Sequence, residues 1–169
     1  MDKSAEVSRC VGCGGLFPAI DGPRHRYMES SPGCWQAYGE VLAREYSDEA
    51  FRSAHHFTVD AYAVQHPGSP SPQSIRSVGV HLISLHLLLE RGVSSDDAAR
   101  VLQVALKASK HYVWLTPPVS MGPITVADVR IAPEPSEHKK IVREWAEASW
   151  AAWRAHHDTI RRWTHESRT

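Results

Sequence analysis

The sequence predicts an all-α fold, a helical bundle of about five helices with an N-terminal cysteine-bearing loop lobe. Three observations carry this. Apolar residues recur at helical spacing over most of the chain beyond Pro32. Serine or aspartate caps stand before the runs, with glycine or proline at several of their ends. The stretch before Pro32 is instead broken by Gly14, Gly15, Pro18, Gly22 and Pro23.

In order, Ser31-Pro32 reads as an N-cap with proline at the first helical position, opening a helix to about Tyr46. Trp35, Tyr38 and Leu42 form its stripe. Ser47-Asp48-Glu49 caps a second helix that runs to about His66, where Pro67-Gly68 stops it. His55, Val59, Tyr62 and His66 share one face of it, and Asp60 lies on the adjacent face. A third helix spans about Pro72 to Arg91 and closes at Gly92; its VGVHLISLHLLL run makes it the central one. Ser95 with Asp96 and Asp97 starts a fourth, ending near Lys110. Residues 111–131 are irregular, as extended pieces or a single turn begun by Thr125. Ser136 caps a last helix over roughly Glu137 to His165, with Trp145, Trp150, Trp153 and Trp163 as packing residues. The expected organisation is one domain over 1–169. It comprises the lobe (1–31), a four-helix core (32–110), an irregular segment (111–135) and the long helix (136–166).

Composition narrows the function classes. Lys plus Arg and Asp plus Glu both count 19, so no global basic field marks a nucleic-acid binder. No run of about 18 apolar residues exists to span a membrane. The N-terminal MDKSAEVSRC has no apolar secretory core. Three cysteines, an odd count, suit reduced thiols in the cytoplasm rather than a disulfide framework.

Those cysteines carry the chemistry. Cys10 and Cys13 are separated by two residues and followed by glycines, a knuckle that turns both sulfurs toward one ion. Cys34, in the first turn of the first helix, sits where free N–H groups favour a thiolate. A histidine completes a zinc-knuckle-like Cys₃His set. If the first two helices are antiparallel, Cys34 and Asp60 stand equidistant from Ser47, and His66 projects about 9 Å further toward the lobe. The expected metal ligands are Cys10, Cys13, Cys34 and His66, with His25 as the alternative fourth. Such a closed shell is structural. The leading expectation is therefore a zinc-binding helical-bundle protein in which zinc is mainly structural. The alternative is a metal-assisted hydrolase or transferase acting on a small-molecule ligand through Asp60, His81 and His55, a carboxylate orienting imidazoles for proton transfer. His138 and His165, near helix ends, are expected to be solvated.

CVGCG, DGPRHRYMESSPGCW, VDAYAVQHPG, HLISLHLLLERG and TVADV with WAEASWAAWRAHH run through almost the whole chain. In these stretches the sequence resembles an uncharacterised bacterial family of small cytosolic proteins. The resemblance implies a pattern that includes Cys10, Cys13, His25, Cys34, His55, Asp60, Tyr62, Gln65, His66 and His81. It implies a shared site and names no reaction.

Overall fold

A computed structural model describes residues 6–167. The reading of residues 1–5 as loop lies outside them. The fold is mostly helical, with one small sheet that the sequence reading missed. Strand β1 (Val7–Arg9) pairs antiparallel with β2 (Leu16–Pro18), setting Ser8 opposite Phe17. Gly14, at φ 75°, lets the chain reverse between them, and the Cys10 amide donates to the Gly15 carbonyl (2.8 Å). Three-residue strands are marginal alone; Phe17, 2% exposed, anchors this pair in the core.

Helix α1 spans Pro32–Ser47, its Ser31 cap accepting from the Cys34 amide (3.2 Å). The expected second helix comes in two pieces. A short α2 (Glu49–Arg52) is capped by Asp48, and α3 (His55–Gln65) follows after a turn at Ser53-Ala54. Helix α4 (Pro72–Leu85) continues through a π-helical turn, His86–Glu90, and closes at Gly92 with φ 59°. Helix α5 (Ser95–Ala108) is capped by Ser94, one residue before the expected start. Thr125 does begin a single turn, α6 (Val126–Arg130), through a reciprocal capping box with Asp128. The expected last helix also breaks, into α7 (Pro135–Ala152) and α8 (His157–Glu166), with a 3₁₀ turn between them. Five expected helices thus become eight among the described residues.

The second break has a tertiary cause. There the Trp153 indole N–H donates to the Val64 carbonyl of α3 (3.1 Å), and His157 donates to the Trp150 carbonyl (2.9 Å). Those bonds turn α8 back onto α4 and α5. Trp145, Trp153 and Ile160 are at most 1% exposed, each large enough to contribute about 2 kcal/mol by burial. Gln65 pins the irregular segment, donating to the carbonyls of Met121 (2.9 Å) and Ile124 (2.8 Å).

Helix α8 is tied to the π-helical turn by Glu90, which accepts from Arg161 (2.9 Å), the Trp150 indole (3.2 Å) and His86 (2.8 Å). The Arg161 guanidinium, ahead of the other two donors, holds the Glu90 carboxyl down to about 2 from 4.5. A carboxyl held low in the folded state adds stability above its unfolded value and loses it as pH falls through its folded one. Glu90→Gln is expected to cost about 1 kcal/mol near neutrality, the partly exposed pair being screened by solvent. Urea melts at stepped pH should show the gap to wild type close between about 4.5 and 2.

Candidate metal centre

Four elements converge at the lobe end of the bundle. Cys10 directly follows β1 and Cys13 sits in the turn after it. Cys34 lies in the first turn of α1, and His66 is the residue that ends α3. The His66 ring fixes its own tautomer: Nδ1 lies 2.7 Å from the Tyr62 carbonyl, which can only accept, so Nδ1 carries the proton. Nε2 is left with its lone pair toward the sulfurs, the form a metal ligand needs. It stands 3.5 Å from Cys10 Sγ and 3.4 Å from Cys34 Sγ, while Cys13 and Cys34 Sγ are 3.9 Å apart. All four ligand atoms lie within 4.8 Å of one another.

These separations fit one tetrahedral ion. With bonds of about 2.3 Å to sulfur and about 2.0–2.1 Å to nitrogen, a tetrahedron has S–S edges of about 3.8 Å and S–N edges of about 3.6 Å. Burial fits as well: Cys10, Cys13, Cys34 and His66 are 1%, 7%, 0% and 1% exposed. The surroundings are close-fitting. A Cβ on Gly12 would collide with the His66 ring and the Glu29 carbonyl, so only glycine lets the knuckle approach this closely. Tyr62 stacks on His66 with ring centres 4.0 Å apart and places its hydroxyl 3.5 Å from Cys34 Sγ; Tyr38 stacks behind it. The Ser31 amide donates to Cys10 Sγ (3.4 Å), support of the kind that steadies thiolates.

Without a cation the sulfurs are in conflict. Hydrogen bonds from Cys13 and Cys34 pull Cys10 far below the ordinary thiol value. The Cys10 sulfur in turn pushes Cys13 up to about 12, and raises Cys34 further still. Burial, then the nearby Cys34 sulfur, raises the Tyr62 phenol. One thiolate is tolerated and three are not. A divalent cation removes the conflict by neutralising the negative charge that keeps the second and third protons on.

The alternative ligand His25 is not brought to this group. Its Nδ1 accepts from the amides of Tyr27 (3.3 Å) and Met28 (3.0 Å), and its ring packs on Trp35. Burial lowers its pKa, favouring the neutral acceptor.

The expected group of Asp60, His81 and His55 divides into two. Asp60, 4% exposed, accepts from His81 Nδ1 (2.7 Å) and the Ser84 hydroxyl (2.5 Å), joining α3 to α4. His55 instead donates Nδ1–H to Glu45 (2.9 Å), while its Nε2 accepts from the Tyr46 hydroxyl (3.1 Å). Glu45 was not singled out from the sequence, yet it is fully buried and also accepts from Thr58 (2.5 Å) and His138 Nε2 (2.9 Å). His138, expected to be solvated, is 0% exposed: its ring meets Phe51 edge-on, and Arg44 Nη1 lies 3.4 Å from its Nδ1. The available signal was spacing. Tyr38, Val41 and Glu45 fall on one face of α1, so a glutamate stands in an apolar stripe.

These features define a mostly helical protein with a buried three-cysteine, one-histidine group able to take a metal ion. The chain belongs to a family of unknown function, DUF5946, whose family model matches residues 8–154. No curated protein and no solved structure matches it. Among the described residues, no helix is long and apolar enough to cross a membrane.

Proposed function

We propose that this is a zinc protein whose ion, held by Cys10, Cys13, Cys34 and His66, is structural and clamps the hairpin lobe onto the ends of α1 and α3. The observation that carries this is the makeup of the group: three sulfurs and one imidazole nitrogen within 4.8 Å of one another on four buried side chains, a donor set that suits a closed structural shell. Zinc is favoured over other divalent ions because thiolate and imidazole ligands in a tetrahedron suit it best. We take residues 1–169 as one domain, supported by a buried cluster running from Cys10 to Trp163. Three free cysteines suit a reducing compartment, hence the cytoplasm. Balanced charge argues against nucleic acid as a partner. Elemental analysis of the purified, untagged protein should return one zinc per chain with its thiols protected. No metal, together with freely titrating thiols, would end this reading.

A second reading, a metal-assisted hydrolase or transferase on a small molecule, draws support from one observation, the ordered Asp60–His81 pair. His55 does not extend that pair, being engaged with Glu45.

A further inference from the structure

The carboxylate of Asp60 lies under the core side of His81, and what His81 presents on the other side is a cleft of about 190 Å³. The floor of that cleft is a single stripe of α4: Gln73, Arg76, Ser77, Val80 and His81 recur at helical spacing. One wall is Tyr27, from the segment before α1; the other is Leu106 of α5, 47% exposed. Core helices normally turn such a stripe inward or leave it flat against water. Here two other segments rise beside it and make it concave.

His81 apart, the polar side chains lining the cleft have no hydrogen-bond or ion-pair partner among the described residues. Among the described residues Arg76 makes no ion pair, and Gln73, Ser77 and the Tyr27 hydroxyl make no side-chain hydrogen bond. His81 differs in being fixed. Nδ1 is turned onto Asp60, which is itself held by Ser84, so the proton sits on Nδ1 and Nε2 keeps a lone pair on the open edge of the ring. That is the arrangement of a general base with its positioning carboxylate. It stands apart from the cysteines and needs no metal.

We propose that this cleft binds a small anionic ester, and that His81 is the catalytic base of its hydrolysis. The proposal goes beyond the second reading: it keeps the Asp60–His81 pair, replaces metal assistance by a metal-free step and names a substrate class. Arg76 holds the anionic end, and Val80 and Leu106 receive the short carbon chain. The volume is below the roughly 300–1,000 Å³ of sites for drug-sized ligands, so the acyl part has about ten non-hydrogen atoms or fewer. Water enters from the open side. His81 Nε2 takes a proton from it as the water oxygen bonds to the acyl carbon. The ester C–O bond then breaks, and the same proton passes to the leaving alkoxide, giving acid and alcohol. Asp60 touches no substrate; it is a positioning residue that steadies the imidazolium formed between the two steps.

Mono-4-nitrophenyl succinate, whose leaving group can project from the open cleft, is the probe, with neutral 4-nitrophenyl butyrate beside it. The wild-type protein should release nitrophenol from the succinate at least a hundredfold faster than His81→Gln. Arg76→Gln should raise KM for the succinate about tenfold, and raise it by several-fold more than for the butyrate. Asp60→Asn should lower kcat at least tenfold with KM kept, and Ser84→Ala, which loosens Asp60 without removing it, should lower kcat in the same direction. Melting temperature and zinc content, followed for every variant, separate loss of the base from loss of fold and leave the zinc reading to its own test. Wild-type turnover in His81→Gln, or equal response of the two esters to Arg76→Gln, overturns the proposal. A rate that requires added magnesium or manganese overturns the metal-free step and returns the pair to the metal-assisted reading.

Discussion

If the four-residue group holds a metal as proposed, replacing Cys34 by serine is expected to abolish metal binding and lower the melting temperature by on the order of 10 °C. The sulfur is fully buried and close to Cys13, His66 and the Tyr62 hydroxyl, so a hydroxyl there leaves the cation three ligands. Metal that binds only the folded chain contributes its binding free energy to folding, and losing a strong ligand forfeits several kcal/mol of it. In a chain of this length each kcal/mol is worth about 2–4 °C. The loss should be spatially uneven. The hairpin of β1 and β2 should become sensitive to limited proteolysis, while α4 and α8, which have no ligand, keep their protection. Chelator treatment of wild type should reproduce the same pattern. Unchanged melting in both arms would show that the cysteines do not hold the lobe.

Glu45→Gln is expected to destabilise the protein by about 3–5 kcal/mol, roughly 10 °C, with the metal retained. Glu45 is 0% exposed and accepts from His55, Thr58 and His138, drawing α1, α3 and α7 onto one carboxylate. An amide keeps one acceptor oxygen and turns an NH₂ toward a group that donates, leaving buried donors facing each other. Thermal and chemical melts measure the loss, and elemental analysis compares the metal content with that of wild type. A change under about 1 kcal/mol would mean that water enters and satisfies the network, contrary to its burial.

The two substitutions also mark where the sequence was informative. Caps and punctuation located several helix ends: Ser31-Pro32, Pro72 and Gly92 act as their chemistry requires, and Thr125 opens a turn, whereas Ser136 is no cap, the helix there starting at Pro135 behind Glu134. The cysteine knuckle was legible because its spacing is local, and the packing of α1 against α3 pointed to His66. Its register was off. Cys34 lies opposite Tyr62 and His66, not Asp60, because the turn at Ser53-Ala54 takes up chain that a continuous helix would have spent on length. Nothing in FRSAHH is a breaker, and the cap there makes no side-chain bond. The break at Trp153 was equally hidden, since its cause is a bond to Val64 far away in sequence. His138 looked exposed because it follows a helix start, yet Arg44 and Phe51 close over it from elements that precede it by most of the chain. Long-range polar pairing is what a local reading leaves out.

The placement of the indoles bears on how the chain reaches this state during synthesis. Trp145 and Trp153, which fill the space beside α3, belong to α7 and the turn after it, so an emerging chain already long enough to carry all three sulfurs and the imidazole still has a gap where those rings will go. A nascent polypeptide halted before residue 145 would expose the apolar sides of α3 and α4 to whatever surrounds the ribosome, the state in which unfinished proteins aggregate or call on chaperones.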